Sequence, residues 1–481
     1  MLKKVFKAIF LLTTILIAVL LVNTFRFTSK QINMEALPAP VVTENAIRNF
    51  QEAIRFKTIS NSDPTLLDST QFFAFHRLLK KNYPTLHALL AREMVEKYSL
   101  LYKWEGKDPG LNPMILMAHQ DVVPIEEATR SMWSVDPFAG EIKDNFIWGR
   151  GTADDKVNLI SIMEAVEKLL KENYQPDRTI YLVFGHDEEL GGTGAQAVAK
   201  LLKSRNVRAE MVLDEGGIIT NDKVPGMTRP VALIGTSEKG YMSLQLRAEK
   251  NGGHSSMPEA ETSIDILAKA LIRLREHPFD PDFSLSTQGF MDHVGPEMPF
   301  LKKIVFANPW LFKSVIIGIY EQTGSGNAIV RTTIAPTILQ AGVKDNVIPT
   351  IAKATVNFRL LPGDSASFVM DRVIEIINDP RVTVTAVNGF IGESTSATSE
   401  DSFAYKRTDE IVRKTFANTV STPFLMIGGT DSRHFSEIST GIIKFSPITD
   451  PIGFHGIDER VSLESYRSAL WFYEQLIRES N

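Results

Sequence analysis

The stretch YLVFGHDEELGGTG, residues 181–194, places four ionisable side chains in a row directly after a short apolar run. The apolar part has the length and composition of a buried β-strand. At the end of that strand would stand His186, Asp187, Glu188 and Glu189. Adjacent carboxylates repel one another and are costly to remove from water. This position therefore needs either solvent or a compensating cation.

The composition of the chain limits which kinds of function are open to it. The chain has 481 residues, 43% of them apolar, and a net charge of −5, which is typical of a soluble globular protein with two or three domains. Nothing in this balance supports nucleic-acid binding, which needs a basic face. The absence of cysteine excludes disulfides and thiolate metal ligands. A metal site in this protein would therefore use His, Asp and Glu.

The N-terminus differs in kind from the rest of the chain. Three lysines within residues 3–7 precede an uncharged apolar run over residues 8–22. This order is typical of an export signal or a membrane anchor. Because no small-x-small cleavage site follows, residues 1–30 are predicted to be an uncleaved anchor, with a cleaved signal as the alternative. The positive-inside rule then puts the body on the non-cytoplasmic side, in the cell envelope or periplasm, or outside the cell if the segment is removed.

Beyond a Pro-rich linker at residues 31–44, short apolar runs alternate with amphipathic patterns. Predicted strands cover 114–118, 179–184 and 210–214, and predicted helices cover 156–173 and 194–205. This βαβ order indicates a mixed, largely parallel α/β sheet flanked by helices. In such sheets ligands bind beyond the carboxyl ends of the strands.

The pattern changes near residue 236. Over residues 237–387 the order is strand, helix, two strands, helix and strand, which is that of a ferredoxin-like unit. The βα order returns from residue 388. We therefore expect one α/β domain, residues 45–236 and 388–481, interrupted by an inserted α+β domain. Residues 279–330, rich in Pro and Phe, follow no pattern that assigns them an element.

Four polar clusters stand at the ends of predicted strands. They are MAHQDVVP (117–124), GRGTADDK (149–156), the stretch quoted above and VLDEGG (212–217). In the first, His119 and Asp121 lie two residues apart and so project to the same side of an extended chain. All four would open onto one edge of the sheet. Solvated acidic loops are the alternative interpretation.

A divalent cation, and more readily two, would supply the counter-charge that these carboxylates need. Oxygen and imidazole ligands without sulfur fit zinc in an open catalytic site, with manganese or cobalt as substitutes. Such ions polarise a carbonyl and activate a water molecule. One glutamate of the pair Glu188 and Glu189 could then act as the general base.

Further motifs extend this pattern to the end of the chain. They are GGHSSMP (252–258), NVIP (346–349), FRLLPG (358–363), GGTDSRHF (428–435) and FHGIDERVS (454–462). From about residue 45 onward, their order resembles the zinc metallopeptidase family of carboxypeptidase S and aminoacylase. It is most similar to the branch with carboxypeptidase S and the N-fatty-acyl-amino-acid synthase/hydrolase. The resemblance implies a zinc-exopeptidase-like fold whose inserted domain serves as a lid or a dimerisation domain, and hence a homodimer as one option.

The resemblance also implies two zinc ions per subunit and a set of ligands for them. Asp154 would bridge the two ions, and the peptide bond that follows it is expected to be cis. His119 and Asp214 would hold one ion, and Glu189 and His455 would hold the other.

Two carboxylates receive other roles from the resemblance. Asp121 would orient His119, and Glu188 would be the general base. Relatives differ over which acid of the DEG segment is the ligand, so Glu215 is the alternative to Asp214.

The substrate side is likewise implied by the resemblance. His254 would reach the substrate or the oxyanion, in relatives often within the partner subunit's site. Arg359 and Asn346 would hold the substrate's carboxylate, the arginine bidentately. The same pocket would be lined by Gly429, Thr430 and Arg433. The structural alternatives are a turn cap for His254, an ordinary turn for Asn346 and a surface charge for Arg359.

Together these features predict a dizinc metallohydrolase that cleaves an amide next to a free C-terminal carboxylate. The first interpretation is a carboxypeptidase acting on peptides. An N-acyl (fatty-acyl) amino acid hydrolase or synthase is the alternative, because its reaction centre would be identical. A catalytically inactive binding protein on the same fold is the third hypothesis.

Overall fold

The computed structural model describes residues 1–32, 34–35, 37–38, 40–387 and 392–481. The predicted linker at 31–44 falls partly outside the described residues. The predicted boundary at residue 388, where the chain returns to the first domain, also lies outside the described residues.

The secondary structure of the described residues alternates helices and strands along most of the chain. The helices are α1 (Leu2–Arg26), α2 (Glu44–Ile54), α3 (Ser69–Asn82), α4 (Pro84–Leu89), α5 (Lys156–Lys171), α6 (Thr193–Ser204), α7 (Ser263–Glu276), α8 (Leu285–Val294), α9 (Phe300–Ala307), α10 (Pro309–Tyr320), α11 (Gly324–Val330), α12 (Ala366–Ile377), α13 (Phe403–Thr415) and α14 (Leu463–Arg478). The strands are β1 (Ala91–Val95), β2 (Ser99–Trp104), β3 (Met114–His119), β4 (Glu141–Lys143), β5 (Phe146–Trp148), β6 (Ile180–Gly185), β7 (Met211–Thr220), β8 (Val231–Glu238), β9 (Gly240–Glu249), β10 (Gly253–His254), β11 (Thr333–Ala341), β12 (Val347–Ile348), β13 (Ile351–Leu360), β14 (Val382–Ala386), β15 (Val420–Met426), β16 (Ile442–Thr449) and β17 (Arg460–Ser462).

The larger sheet of the described chain has the strand order β1-β2-β6-β3-β7-β16-β8-β15. β3 lies parallel to both of its neighbours, and the pairs β7–β16 and β8–β15 are also parallel. β1 and β2 add an antiparallel edge. The predicted fold class, a mixed and largely parallel sheet flanked by helices, is confirmed.

The central strand β3 is buried along its whole length because both faces of the sheet are covered. Met114 and Leu116 pack on one face with α2, α5 and α14. Ile115 and Met117 point to the other face and pack with α6. Side chains along β3 are therefore covered by helices on both faces. His119, at the carboxyl end of the strand, is the residue of β3 placed to reach a cleft.

The second sheet has the order β11-β13-β9-β14, with every pair antiparallel. Residues of β9 alternate between buried and partly buried, and the buried set packs under α7 and α12. Thr262 and Asp265 form a capping box that begins α7. Strand order and connectivity are those of the ferredoxin-like unit that the sequence predicts.

The interval 279–330 contains the helices α8, α9, α10 and α11, which the sequence pattern did not assign. α9 has no buried residue among its described positions, and Ile316 is the one buried residue of α10. The N-terminal helix α1 is exposed except near its end, where Thr24 is buried. Among the described residues, α1 is the one helix long and apolar enough to cross a membrane, by length and composition.

Candidate active site

The predicted strand-end clusters converge at one rim of the larger sheet. His119 ends β3, Glu188 and Glu189 lie on the 3₁₀ turn that follows β6, and Glu215 lies within β7. Asp154 precedes α5 on the adjoining loop, and its peptide bond to Asp155 is cis, as the resemblance implies. We name the set His119, Asp154, Glu189, Glu215 and His455 the acid–histidine cluster.

Asp154 lies at the centre of the acid–histidine cluster. Its Oδ1 is 2.9 Å from His119 Nε2, and its Oδ2 is 2.9 Å from His455 Nε2. His455 Nε2 is also 3.2 Å from Glu189 Oε1. One carboxylate thus faces two imidazoles through different oxygens, which is the disposition that a bridging ligand between two cations requires.

Asp121 is fully buried and holds two parts of this rim together. His119 Nδ1 lies 3.0 Å from the Asp121 carbonyl oxygen and 3.2 Å from its Oδ1, so the ring can donate there and turn Nε2 toward the cluster. The backbone N–H groups of Glu188 and Glu189 donate to the Asp121 carboxylate at 3.2 Å each. Asp121 therefore orients both the histidine and the glutamate turn.

The structure distinguishes the two acids of the DEG segment. Asp214 accepts hydrogen bonds from the backbone N–H of Glu215 at 3.0 Å and of Ser432 at 2.7 Å. Glu215 Oε1 instead lies 3.7 Å from His119 Nε2. The pairing of β7 with β16 is irregular between Asp214 and Gly217, so the contacts of each side chain, and not strand alternation, distinguish the two acids. Of the two, Glu215 has its carboxylate beside a cluster histidine, whereas the Asp214 carboxylate accepts from backbone N–H groups.

The four ionisable residues of the stretch 181–194 lie in two different environments: two make structural contacts and two line the cavity. Asp187 caps α6, since its carboxylate accepts from the backbone N–H groups of Thr193 and Gly194 at 2.9 Å each. His186 Nδ1 is 2.8 Å from Ser99 Oγ, and its ring packs against Tyr98. Only the two glutamates remain for the cavity.

The electrostatics of the site favour the binding of a cation. Burial raises the pKa of Glu188 and Glu189, and the neighbouring Asp431 and Asp154, respectively, raise them further. Burial together with Asp154 and Asp155 does the same to the pKa of Glu215. The carboxylates of Asp154 and Glu189 beside its Nε2 favour the protonated ring and raise the pKa of His455 to about 10. Without a cation, this cluster can balance its charge only by holding protons.

The residues present fit a pair of divalent metal ions. Ligand atoms of His119, Asp154 and Glu189 lie within 4.8 Å of one another, and so do those of His119, Asp155 and Glu215. Glu189 Oε1 is buried and makes no hydrogen bond of good geometry, although His455 is near. The donors are carboxylate oxygens and imidazole nitrogens, which suit zinc, manganese or cobalt.

A buried ion pair, missed in the assignment of roles from sequence, fixes two loops of the site. Arg150 Nη1 donates to Glu459 Oε2 at 2.6 Å, and Glu459 Oε1 accepts from the backbone N–H of Ala153 at 2.8 Å. Arg150 Nη2 donates to the carbonyl oxygens of His455 and Gly456 at 3.3 and 3.1 Å. The pair thus positions the loops that carry Asp154 and His455. Arg150 lies in the motif GRGTADDK and Glu459 in FHGIDERVS. Their places in these motifs were the signal that could have identified the pair.

The acid–histidine cluster opens into a cavity of about 650 Å³. Its wall includes Arg359 and the loop residues Gly429, Thr430 and Arg433, all predicted from sequence. Arg433 Nη2 donates to the Gly191 carbonyl at 3.0 Å and Thr430 N–H donates to Glu238 at 2.9 Å, so the loop is tied to the rim. The Arg359 guanidinium stacks on the Tyr241 ring at 4.8 Å.

Lys239 and Tyr241 also line the cavity, and the sequence reasoning did not select them. Lys239 Nζ donates to the carbonyl oxygens of Ala328 and Arg331 at 2.8 and 2.7 Å. Burial and the nearby Arg359 together lower the pKa of Lys239 to about 7. The segment TSEKGYMS at the junction of β8 and β9 was the signal that could have located both residues.

His254 and Asn346 are not among the residues that line this cavity. β10 and β12 pair with each other at the tip of the inserted sheet, and both side chains are exposed there. His254 Nδ1 contacts the Ser256 hydroxyl at 2.8 Å, and the Asn346 carbonyl accepts from Ser255 N–H at 3.2 Å. Within one chain, this inserted tip (residues 253–256 and 346–348) does not contribute to the cavity wall.

Comparison with known proteins agrees with the geometry. A family model described as peptidase family M20/M25/M40 matches residues 115–479. A probable carboxypeptidase S-like 2 of Dictyostelium discoideum is 37% identical over 481 residues, covering 97% of this chain and 92% of that relative. The N-fatty-acyl-amino acid synthase/hydrolase PM20D1 of Homo sapiens is 39% identical over 437 residues, covering 89% of this chain and 86% of that relative.

A solved structure shows the same fold. The M20 family metallo-carboxypeptidase Sso-CP2 from Sulfolobus solfataricus matches with a TM-score of 0.67 at 18% sequence identity, over 91% of this chain and 99% of that one. The family resemblance drawn from the motifs is thus confirmed, and the protein is an enzyme with hydrolase relatives. This chain belongs to peptidase family M20/M25/M40.

Proposed function

We propose that this protein is a dizinc carboxypeptidase that cleaves the amide bond next to a free C-terminal carboxylate. The observation that carries the proposal is that Glu188 and Arg359 line the same cavity as the acid–histidine cluster. A proton-transfer group beside metal ligands suits amide hydrolysis. An arginine on the cavity wall suits a substrate that ends in a carboxylate.

The metal ligands follow from the contacts around Asp154. Asp154 would be the ligand common to both ions, with His119 and Glu215 as ligands of one and Glu189 and His455 as ligands of the other. When bound, such ions would supply polarisation of the scissile carbonyl and a lowered pKa of water. Manganese or cobalt are substitutes with the same preference for these donors.

Proton transfer and substrate binding are carried out by side chains of the protein. Glu188 takes a proton from the attacking water and delivers it to the leaving amine, and its raised pKa suits both transfers. Asp121 keeps Glu188 in place through its backbone N–H. Arg359 binds the substrate's carboxylate, with Lys239 as a second cation on the same wall. The loop of Gly429, Thr430 and Arg433 lines the part of the cavity that holds the released C-terminal amino acid.

The inserted tip contributes through an arrangement other than the one that the structure describes. His254 and Asn346 reach a substrate when residues 237–387 close over the cavity or meet a second copy. This assigns residues 45–236 and 388–481 to catalysis and the inserted domain to a lid or dimerisation role. The apolar helix α1 anchors the chain in the membrane with the catalytic body on the non-cytoplasmic side.

A second candidate function is hydrolysis or synthesis of N-acyl amino acids. Leu190, Met426 and Phe454 give part of the cavity wall an apolar surface, which suits an acyl chain. The human relative carries that activity in its name. The carboxylate end and the reaction centre would be used in the same way.

The deciding experiment compares two substrate series on the zinc-loaded full chain in detergent. N-terminally blocked dipeptides and N-fatty-acyl amino acids are ranked by kcat/KM. A clear preference for the blocked dipeptides supports the carboxypeptidase, and the reverse preference supports the acyl-amino-acid enzyme. Hydrolysis of neither series, with two metal ions bound, would leave the inactive binding protein as the better hypothesis.

Arg359→Gln provides the control for the carboxylate. The variant should lose about 10–100-fold in kcat/KM, because hydrogen bonds to charged groups contribute about 1.5–3 kcal/mol. Substrates whose carboxylate is amidated should be poor for the native enzyme and should change little between the two proteins. An equal loss on both kinds of substrate would contradict the assigned role.

A further inference from the structure

The helices α9 and α10 present an apolar surface that the body of the protein leaves uncovered. α10 packs mainly on α9 and α11, and Ile316 is its one buried residue. We name this surface the apolar platform; its exposed side chains are Phe300, Leu301, Trp310, Leu311, Val315 and Ile319. A contiguous apolar surface of this kind on a folded protein marks an interaction site.

The apolar platform is joined directly to the end of α1. Asn308, between α9 and α10, is fully buried and accepts a hydrogen bond from Asn23 Nδ2 at 2.8 Å. Its own Nδ2 donates to the Leu20 carbonyl at 3.3 Å. The rings of Phe25 and Phe300 lie 6.2 Å apart. The last two turns of α1 are therefore fixed against the platform.

These contacts set the depth of the platform relative to a bilayer. The uncharged part of α1 between Lys7 and Arg26 has 18 residues, 8 to 25. At 1.5 Å per residue they span about 27 Å, slightly less than the hydrocarbon thickness of about 30 Å. Leu20 and Asn23 lie near the outward end of that span. Asn308 beside them is consequently near the level at which α1 leaves the hydrocarbon.

The chemistry of the two helices suits the same boundary. Neither α9 nor α10 contains an acidic residue, and they carry Lys302, Lys303 and Lys313. Lys302 Nζ reaches back to the Pro225 carbonyl at 3.4 Å, and Lys313 Nζ reaches Asp282 at 2.8 Å, so both charges lie on the body side. Trp310 is exposed, and tryptophan is enriched at membrane interfaces.

We propose that the apolar platform is a membrane-docking surface that inserts into the outer face of the bilayer beside α1. The inference rests on the proposed anchoring through α1 and goes beyond it: the catalytic body lies on the membrane in a fixed orientation instead of hanging from a tether. The same segment continues through α11 to Ala328 and Arg331, whose carbonyls hold Lys239 at the cavity wall. The cavity is thus connected to the lipid surface by one short run of chain.

Spin labels on single cysteines can test this docking, because the natural chain contains no cysteine. The probes are Leu301→Cys and Val315→Cys in the full chain, reconstituted in nanodiscs of phosphatidylcholine with phosphatidylglycerol. The matched control is Leu339→Cys on β11: Leu339 is 67% exposed, compared with 78% for Leu301 and 51% for Val315. Leu12→Cys within α1 provides the reference for a residue in lipid.

Collision rates with oxygen and with a neutral nickel chelate are then measured at each label. Oxygen partitions into lipid and the chelate stays in water. The proposal expects an oxygen-to-nickel ratio at positions 301 and 315 several-fold above that at 339 and closer to that at 12. Low collision rates with both reagents at 301 and 315 would mean a protein interface, such as a second copy, and would overturn the proposal.

The remaining outcomes separate the two hypotheses. If the position 12 label is in lipid while the 301 and 315 labels match the 339 control, the anchor stands and the docking surface is wrong. If the position 12 label is also in water, both the anchoring and the docking are wrong. Variants Leu301→Glu and Val315→Glu should place their helices in water without changing the position 12 label.

Discussion

The acid–histidine cluster and the inserted tip carry chemically similar residues but hold them very differently. In the cluster, His119 is buried and fixed through Asp121, while Arg150 and Glu459 hold the loops of Asp154 and His455. At the inserted tip, the exposed His254 ring contacts the Ser256 hydroxyl. A site that is held on several sides is organised before substrate arrives, because its geometry needs no rearrangement. The inserted tip can reach a substrate only after the inserted domain closes over the cavity or a second copy of the chain binds.

The largest effect should come from the glutamate that this organised rim presents. Glu188→Gln removes the proton acceptor while Asp121 still holds the backbone of the turn. We expect kcat to fall by about 10²–10⁴-fold, the usual contribution of a general base. Metal content by mass spectrometry should stay at the native value. A variant that keeps its turnover would show that another group moves the proton.

The inserted tip allows a test by mixing two inactive proteins. His254→Ala should also be nearly inactive if the histidine reaches the substrate. If it does so in a second copy's cavity, co-folding His254→Ala with Glu188→Gln should restore part of the activity, because one cavity of the pair then has both groups. Activity that stays absent after mixing would instead favour closure of the tip within one chain.

A smaller effect is expected where the structure chooses between neighbouring acids. Glu215→Gln should lower the bound metal from two ions toward one, since Glu215 faces His119. Asp214→Asn should keep both ions and weaken their affinity by about 10–100-fold, as for residues that only support a ligand. Metal stoichiometry after dialysis measures both. Loss of an ion in the Asp214 variant alone would return the ligand role to Asp214.

The smallest effect concerns the pH dependence of the metal-free fold. In the folded protein the pKa values of Glu188 and Glu215 are raised above their ordinary value of 4.5. The unfolded chain loses these protons at lower pH than the folded protein does, so the stability of the fold decreases as the pH rises past 4.5. The raised pKa of His455, about 10, acts in the same direction, because its stabilisation is lost as the pH rises toward 10. The lowered pKa of Asp154 matters only below its ordinary value of 3.8.

Bound cations replace the protons, so the stabilisation by zinc should increase from pH 5 to pH 8. At a free metal concentration of 100 times Kd it would amount to about 2.7 kcal/mol. Thermal unfolding with and without zinc at each pH gives the measurement, and Glu215→Gln should flatten the trend. A zinc effect independent of pH would mean that the cluster is not the cation site.

Much of this protein could be predicted because its core signals are local. The apolar runs of β3, β6 and β7 predict their strands, and the strand-end acids predict the rim. The choice between Asp214 and Glu215 could not be made this way. Both faces of β7 are covered, so its apolar pattern does not say which neighbour faces the cavity. The partners that fix Asp214, such as Ser432, lie far away along the chain.

The sequence by itself determined the family and the βα framework and named the candidate metal ligands, because motif order and strand periodicity are properties of short segments. Tertiary structure alone decided three things. It paired Arg150 with Glu459 across 309 positions of sequence, it separated the inserted tip from the cavity, and it placed the apolar helices of 279–330 against the end of α1. Each depends on contacts between distant segments, and side-chain periodicity carries no information about those contacts.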